Sequence, residues 1–242
     1  MKFAVALILL ASGGCFSQLC AQLAPDSGDA PRSEPSSQQS AAPQRFGRIQ
    51  GYTYISPTGL YRVKIPVLPL LGGTVSDTPN VVTFDDDFSI HLSLAAFPLT
   101  RELKADLETR GSKDFLIHFF DNIVMPDFVT NFPGSTREQK AILLPHIMDG
   151  AVLLFSLHPG GSNFELRSTI TRRIKPVIAK RGNLCFVKYG YVFVITTELA
   201  ERALERSTYN KTADEEDAIL RQRLLDLVAQ LELNPPTSEP KN

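Results

Sequence analysis

The amino-acid sequence predicts an α+β domain in which a mainly antiparallel sheet of about nine strands packs with a central and a C-terminal helix. Short apolar stretches divided by Gly, Pro and Asp turns recur from residue 46 to about residue 200. Helical apolar periodicity is confined to residues 100–125 and 212–231. Strands and helices that occupy separate stretches of a chain are typical of α+β folds.

The first predicted strands, Ile49–Ile55 and Leu60–Val67, flank the turn Ser56-Pro57-Thr58-Gly59. Asn80–Phe84 and Ser89–Phe97 form the next pair. The apolar and polar residues alternate at the start of the latter strand, in Ile-His-Leu-Ser-Leu, which predicts that one of its faces meets solvent.

Two helices are predicted after these strands. Thr100 caps a short helix that ends at Gly111. A second helix presents the stripe Phe115, Phe119 and Ile123, and the following Pro126 predicts that it ends there.

The second half of the chain returns to strands. Ala141–Met148 and Ala151–His158 are predicted to pair through a two-residue type I′ turn at Asp149-Gly150. Phe164–Ile174 is predicted as a further strand. Asn183–Val187 and Tyr191–Thr197 then form a hairpin that turns at residues 188–190.

The last predicted element is an amphipathic helix. Thr212 and Glu215 form a capping box that opens it. Its apolar stripe runs through Leu220, Leu224 and Leu227, and Asn234-Pro235-Pro236 ends the folded region.

The pattern Tyr54-x-Ser56-Pro57-x-Gly59-x-Tyr61-x-Val63-x-Ile65-Pro66 resembles the start of PsbP-like proteins. The strand–helix–strand–helix order and the closing Leu-rich helix are also similar to that family. The resemblance covers roughly residues 48–233 and implies an α-β-α sandwich in an exported or lumenal domain. It transfers no catalytic motif, and no position here is matched to a functional residue of the family.

The N-terminus is typical of a secretory signal. Lys2 precedes the apolar run Phe3–Ala11, which is about half the length needed to span a bilayer. Signal peptidase cleavage after Ala21 would leave residues 1–21 as the signal. Alternatively, Cys15 is a lipidation site at the end of a relaxed lipobox, and a buried N-terminal helix of a cytosolic protein is the third interpretation.

Residues 22–45 carry Pro, Ser and Gln with one bulky apolar residue, so we expect a disordered tether. A flexible coil of about 24 residues spans roughly 25–30 Å. One α+β domain at 46–233 and a disordered tail at 234–242 complete the expected organisation. The predicted location is the periplasm or cell envelope, and in the lipobox interpretation a lipid anchor at Cys15 holds the domain there.

Charge and cysteine content restrict the function further. The formal net charge of −1 does not fit a nucleic-acid-binding protein, and three cysteines cannot form a dense disulfide framework. Cys185 lies in an apolar run and is expected to be a buried, unreactive thiol. The four histidines (His91, His118, His146 and His158) lack the spacing of a zinc motif.

Two clusters remain as candidate sites. Asp85, Asp86 and Asp87 form an acidic turn that could ligate Ca²⁺, for which the solvated turn is the alternative. The second is a basic surface that could contact anionic lipid or a partner. It comprises Arg172, Arg173, Lys175, Lys180 and Arg181.

No catalytic or cofactor-binding motif is present in the sequence, since the Gly-x-Ser-x-Gly and phosphate-loop patterns are missing. The leading hypothesis is therefore a non-catalytic exported protein that acts as a binding or assembly accessory, with a protein or envelope component as its partner. An extracytoplasmic hydrolase with dispersed catalytic residues is the first alternative. A metal-binding or sensing module that uses the acidic turn is the second.

Overall fold

A seven-stranded antiparallel sheet lies at the centre of the fold in the computed structural model, which describes residues 45–164 and 177–235. Every neighbouring pair of its strands is antiparallel. In spatial order the strands are β4 (Thr74–Asp77), β5 (Val81–Asp85), β6 (His91–Pro98), β10 (Tyr191–Glu198), β9 (Ile178–Lys188), β8 (Ala151–Pro159) and β7 (Thr136–Leu144).

A second, four-stranded antiparallel sheet packs beside it and is called here the small sheet. Its strands, in spatial order, are β1 (Arg48–Gln50), β2 (Thr53–Ile55), β3 (Tyr61–Lys64) and β11 (Leu231–Leu233). The inner side chains of the small sheet, including Tyr54 and Val63, join the same apolar core as α5 (Ala213–Val228).

Helices cover both faces of the large sheet. One face carries α1 (Arg101–Arg110), α2 (Ser112–Phe119) and α3 (Met125–Asn131), and α2 packs directly on β8 and β9. The opposite face carries α5, which packs on β9 and β10. A short helix, α4 (Glu201–Glu205), follows β10. This architecture confirms the predicted α+β class with antiparallel sheets.

The described residues contain eleven strands, so the expected number of about nine was too low. Residues Ile49–Ile55 form two strands because Gly51, at φ +59°, turns the chain between β1 and β2. β4 and β11 have no counterpart in the prediction.

Several expectations lie outside the described residues. These are the signal at 1–21 with Cys15, the tether at 22–44, most of the strand Phe164–Ile174, the basic residues Arg172, Arg173 and Lys175, and the tail from residue 236.

Strand β6 was expected to expose one face, and this prediction is wrong. His91 through Phe97 are all buried. Leu92 and Leu94 face the core beneath α5, whereas Phe97 on the other face meets Phe119 of α2, with ring centroids 5.6 Å apart. The small polar residues of this strand therefore lie beneath the helical layer rather than in water.

The helix expected to stop before Pro126 continues past it. A π-helical turn, Phe120–Val124, precedes α3, and Pro126 occupies the first turn of α3. Proline is tolerated there because its missing N–H has no intrahelical partner to lose. The continuation places Phe128 over the sheet.

Strands β7 and β8 pair as predicted, but the prediction of a two-residue turn at Asp149-Gly150 is wrong. Leu144 pairs with Ala151, so residues 145–150 form a six-residue connection. Strand β7 ends at Leu144 because Pro145 has no N–H to donate to a sheet ladder. A two-residue turn with positive φ at both residues occurs instead at Tyr189-Gly190, within the predicted hairpin of β9 and β10.

The two helix caps predicted from the sequence, at Thr100 and Thr212, are present in the structure. The Thr100 side chain accepts a hydrogen bond from the backbone N–H of Leu103. Thr212 and Glu215 form the predicted reciprocal capping box at the start of α5. Because these contacts span only three residues, the pattern alone is enough to predict them.

Gly182 on β9 allows α5 to approach the sheet. A Cβ atom there would lie 2.9 Å from Cβ of Leu220 and 3.1 Å from Cδ1 of Leu224. We expect Gly182→Val to lower the free energy of unfolding by about 1–3 kcal/mol, because the helix must move away from the sheet. Urea denaturation measures this loss.

Leu224→Ala provides the matched control, since it removes the Cδ1 atom that would lie 3.1 Å from the new Cβ, while creating a cavity that itself destabilises. The double variant should lose less free energy of unfolding than the sum of the two single variants. Strict additivity would contradict the proposed contact.

Candidate functional site

Lys180 and Arg181 were predicted to be part of a basic surface, and this prediction is wrong. Both residues are buried: the exposed fraction is 0% for Lys180 and 1% for Arg181. The two residues are neighbours on β9, so their side chains point to opposite faces of the sheet. Both faces are covered at this strand, and each cation is therefore enclosed by a different set of residues.

Lys180 lies on the α5 face within a cluster of carboxylates. Its Nζ is 2.6 Å from Oδ1 of Asp217, 3.3 Å from Oε1 of Glu138 and 3.4 Å from Oε2 of Glu216. Burial on its own would lower the pKa of Lys180, but the three carboxylates together raise it above its ordinary value. Lys180 is therefore a charged structural anchor between β9, β7 and α5.

Glu216 extends this cluster toward α4. Its carboxylate accepts hydrogen bonds from Nε of Arg202 at 2.6 Å and from the hydroxyl of Tyr209 at 2.7 Å. Burial alone would raise the pKa of Glu216, but these two donors lower it below its ordinary value. The arrangement links α4, the loop after it and α5 through one ionised carboxylate.

Arg181 lies on the opposite face, under α3. One terminal nitrogen is 2.8 Å from the carbonyl oxygen of Gly161 and 3.4 Å from Oε2 of Glu198. The guanidinium also lies over the rings of Phe128 and Phe132, at 5.4 and 5.2 Å from their centroids. Burial lowers the pKa of Arg181, and Glu198 acts against that shift.

His158 belongs to a neighbouring hydrogen-bond network on the same face. Its Nδ1 is 2.9 Å from Oγ of Ser135, and its Nε2 is 2.8 Å from Oγ of Ser156. Asn183 donates to Ser156 and accepts from Thr196. Sequence reasoning had assigned His158 no such role.

The His158 environment disfavours acid–base chemistry. Burial, together with the positive charge of Arg181, lowers the pKa of His158 to about 3. An imidazole with so low a pKa is a weak base, and general bases work best with a pKa near the working pH. The two serine contacts therefore hold a neutral histidine in the core rather than activating a nucleophile.

Asp85 and Asp86 of the acidic turn have different local partners. Oδ1 of Asp86 accepts hydrogen bonds from the backbone N–H groups of Phe88, Ser89 and Ile90 at 2.7–2.9 Å. Asp85 pairs with His91. Within residues 45–164 and 177–235, no group of three or more His, Cys, Asp or Glu residues is placed to hold a metal ion.

The contacts of His118, His146 and Cys185 give no sign of a catalytic or metal site. His118 contacts Asn122 on the helical layer, and His146 is exposed in the β7–β8 connection. Cys185 is completely buried, as predicted, and burial raises the pKa of its thiol. None of the helices in the described part of the chain is long and apolar enough to cross a membrane.

An exposed apolar surface is the feature that the sequence reasoning missed. It consists of Leu68, Leu70, Leu71 and Phe88, and we call it the loop-tip surface. Leu70 is 97% exposed, and the other three are each more than two-fifths exposed. The backbone N–H of Asp87 donates to the carbonyl of Leu71 at 3.2 Å, which brings the 68–73 loop and the β5–β6 turn together.

A shallow cavity of about 300 Å³ lies at the opposite end of β2 and β3. It is lined by residues 46–48 and 55–59. The chain enters the domain here, because the carboxylate of Asp77 accepts the backbone N–H groups of Phe46 and Gly47 and the hydroxyl of Tyr54.

Two signals in the sequence could have indicated the buried charges. Lys180 and Arg181 lie between the apolar runs Val177–Ala179 and Leu184–Val187, and a strand between two covered faces has no exposed side. Glu216 precedes Leu220 and Leu224 by four and eight residues, so it continues the buried stripe of α5.

No protein-family profile and no curated protein matches the chain. Solved structures do resemble it. The solution structure of the cyanobacterial PsbP protein CyanoP from Synechocystis sp. PCC 6803 matches with a TM-score of 0.41 and 13% identity, over 75% of this chain and 91% of that one. A PsbP protein is therefore among the solved structures that resemble this chain.

Two other structures show comparable likeness. The Ran-binding protein Mog1p of Saccharomyces cerevisiae has a TM-score of 0.42 and 8% identity, over 78% of this chain and 96% of that one. A Bacteroides thetaiotaomicron protein has a TM-score of 0.41 and 11% identity over 79% of this chain. The chain spans about half the length of the Bacteroides protein, at 52%.

The Lys180 cluster gives a stability prediction. Lys180→Ala should lower the free energy of unfolding by about 3–5 kcal/mol, because it removes the buried cation that three carboxylates share and breaks the buried Lys180–Asp217 pair. Chemical denaturation measures the loss. Lys188→Ala is the matched control, since Lys188 pairs with Asp149 at the surface and its removal should leave the midpoint almost unchanged. Equal losses in both variants would contradict the structural assignment.

His158 gives a pH prediction. Its pKa is lowered in the folded protein, so the unfolded chain binds the proton first as the pH falls below about 6.5. The free energy of unfolding should therefore decrease from about pH 6.5 toward pH 3, by about 4 kcal/mol in total.

His158→Gln should remove this part of the pH dependence, as measured by urea denaturation at successive pH values. His146→Gln, at an exposed position, should retain it. If the free energy of unfolding of His158→Gln depended on pH as it does in the native protein, the buried imidazole would not be the cause of the loss of stability at low pH.

Proposed function

We propose that this protein is a non-catalytic accessory domain with the PsbP-like α-β-α sandwich fold, which is exported and binds or assembles components at the cell envelope. The loop-tip surface of Leu68, Leu70, Leu71 and Phe88 is its contact surface. The N-terminal secretory pattern and the tether predicted at residues 22–45 support export and a position near the membrane.

The observation that carries the proposal is the exposure of these four large apolar side chains in two neighbouring loops. Exposing apolar side chains together is unfavourable in water, and contiguous exposed apolar patches mark interaction sites in soluble proteins. Loops held by a rigid sheet are also the usual location of binding residues. Here β4, β5 and β6 provide that support.

The chemistry of the interior is consistent with a binding role. The buried cations Lys180 and Arg181 are held by carboxylates of the same domain, and His158 is held by two serines. These contacts stabilise the packing of β9 against the helices on either side. The low pKa of His158 disfavours its use as the general base of the hydrolase alternative.

Export is tested by expressing the full chain with a C-terminal tag in a bacterial host and separating cytosol from envelope. We expect the protein in the envelope fraction, with a mature N-terminus at Gln22 or at a lipid-modified Cys15. Mass spectrometry of the intact protein distinguishes the two. A cytosolic protein that retains residues 1–21 would contradict the proposal.

Envelope binding is tested by sedimenting the purified protein with isolated envelopes. Leu70→Asp should reduce the bound fraction at least about fivefold, because an Asp cannot be buried in an apolar contact without a large cost. Leu204→Asp is the matched control, since Leu204 is half-exposed on α4. Equal binding by both variants and the native protein would exclude the loop-tip surface as the contact.

A further inference from the structure

The outer face of the small sheet carries a row of cations. Arg48 pairs with Ile55, and Ile55 pairs with Arg62, so these residues share one face of the antiparallel ladder. Lys64 lies two residues after Arg62 and therefore points to the same side. Arg48, Arg62 and Lys64 are all exposed.

The charge of this face is unbalanced. Glu232, which pairs with Arg62 from β11, is the acid on the same face among the described residues. Among the other residues on this side of the sheet, Gln50 is exposed, Thr53 is partly exposed and Ile55 is buried between the flanking strands. Three exposed cations against one carboxylate give a locally positive face on a chain whose overall net charge is −1.

The loop-tip surface adjoins one end of this face. Tyr52, which is 78% exposed at the β1–β2 turn, accepts a hydrogen bond through its carbonyl from the backbone N–H of Ile65, directly after Lys64. The chain then continues into the loop that holds Leu68 and Leu70. Cations, an exposed Tyr and exposed Leu residues are thus adjacent in the fold.

The chain enters the domain at the edge of the same sheet. Asp77 holds the backbone at Phe46 and Gly47, and β1, the outermost strand, begins at Arg48. Residues 1–44 precede this point and include the predicted signal or lipid anchor. A lipid anchor at Cys15 would be joined to the domain by about 30 residues, and a flexible coil of that length would keep this sheet within roughly 30 Å of a bilayer.

We propose that the outer face of the small sheet and the adjoining loop-tip surface dock onto an anionic phospholipid bilayer. This inference rests on the proposed envelope function and names the ligand of its contact surface. Arg48, Arg62 and Lys64 contact the lipid phosphates, Tyr52 lies at the headgroup level, and Leu70 inserts among the acyl chains.

A lipid surface fits these residues better than an acidic protein does. Leu70 projects from a loop with 97% of its surface in solvent, so it needs a ligand that can deform around a protruding side chain. The fluid acyl region of a bilayer does this without a preformed pocket. Single basic residues near an anionic leaflet each contribute about fivefold to partitioning.

The test is co-sedimentation with phosphatidylcholine vesicles prepared with and without phosphatidylglycerol. The protein is the full chain carrying Cys15→Ser, as processed by its host, so that no acyl group contributes to binding. We expect sedimentation with the phosphatidylglycerol vesicles, weakened by added salt because exposed charges are screened.

Arg62→Glu/Lys64→Glu should reduce partitioning at least about tenfold, since each reversal removes an attraction and adds a repulsion. Arg101→Glu/Lys104→Glu is the matched control, because it makes the same charge change on exposed positions of α1, on the other side of the large sheet. Circular dichroism confirms that both variants fold. Leu70→Asp should weaken binding at least fivefold, and Leu204→Asp should not.

Equal binding to both vesicle types, or an equal loss in the two charge-reversal variants, would overturn the inference. Sedimentation with isolated envelopes but with neither vesicle type would also overturn it, and would leave the proposed function standing with a protein as partner. Failure to bind envelopes as well as vesicles would overturn both.

Discussion

Two adjacent buried cations on β9 are the constraint on which much of this structure depends. Lys180 and Arg181 point to opposite faces of a sheet that is covered on both sides. An uncompensated buried charge costs several kcal/mol, so each cation requires a carboxylate from another element. Asp217 of α5 meets Lys180, and Glu198 of β10 meets Arg181. The helix on one face and the strand pairing on the other are therefore specified by charge as well as by apolar burial.

These pairings leave few charged groups in the interior for other chemistry. Gly182, two residues after Lys180, lets Leu220 pack closely on the sheet, so α5 is fixed both along the strand and in its distance from it. His158 likewise links β8 to the turn after α3 through Ser135, and its ring packs against Phe128 of α3. The buried charged groups are paired with one another and stabilise the fold. The proposed binding residues are therefore those at the surface, where the cations of the small sheet lie near the exposed apolar loops.

The elements that the sequence predicted well are those determined by neighbouring residues. The capping box at Thr212 and the hairpin turn before Tyr191 each depend on a few successive side chains, and both are present. The helix stop at Pro126 and the tight turn at Gly150 were wrong, although both residues are strong local signals. In each case another local feature prevailed: Pro126 fits the first turn of α3, and Pro145 ends β7 before the chain reaches Gly150.

The sequence by itself determined the α+β class, the caps of α1 and α5, and the burial of Cys185, because periodicity and short-range hydrogen bonds encode them. Only the tertiary structure decided that Lys180 and Arg181 are buried rather than part of a basic surface. A charged residue in a strand is exposed or enclosed according to what covers the sheet, and the covering elements are distant in sequence. For the same reason, only the fold brings the cations of the small sheet next to Leu70.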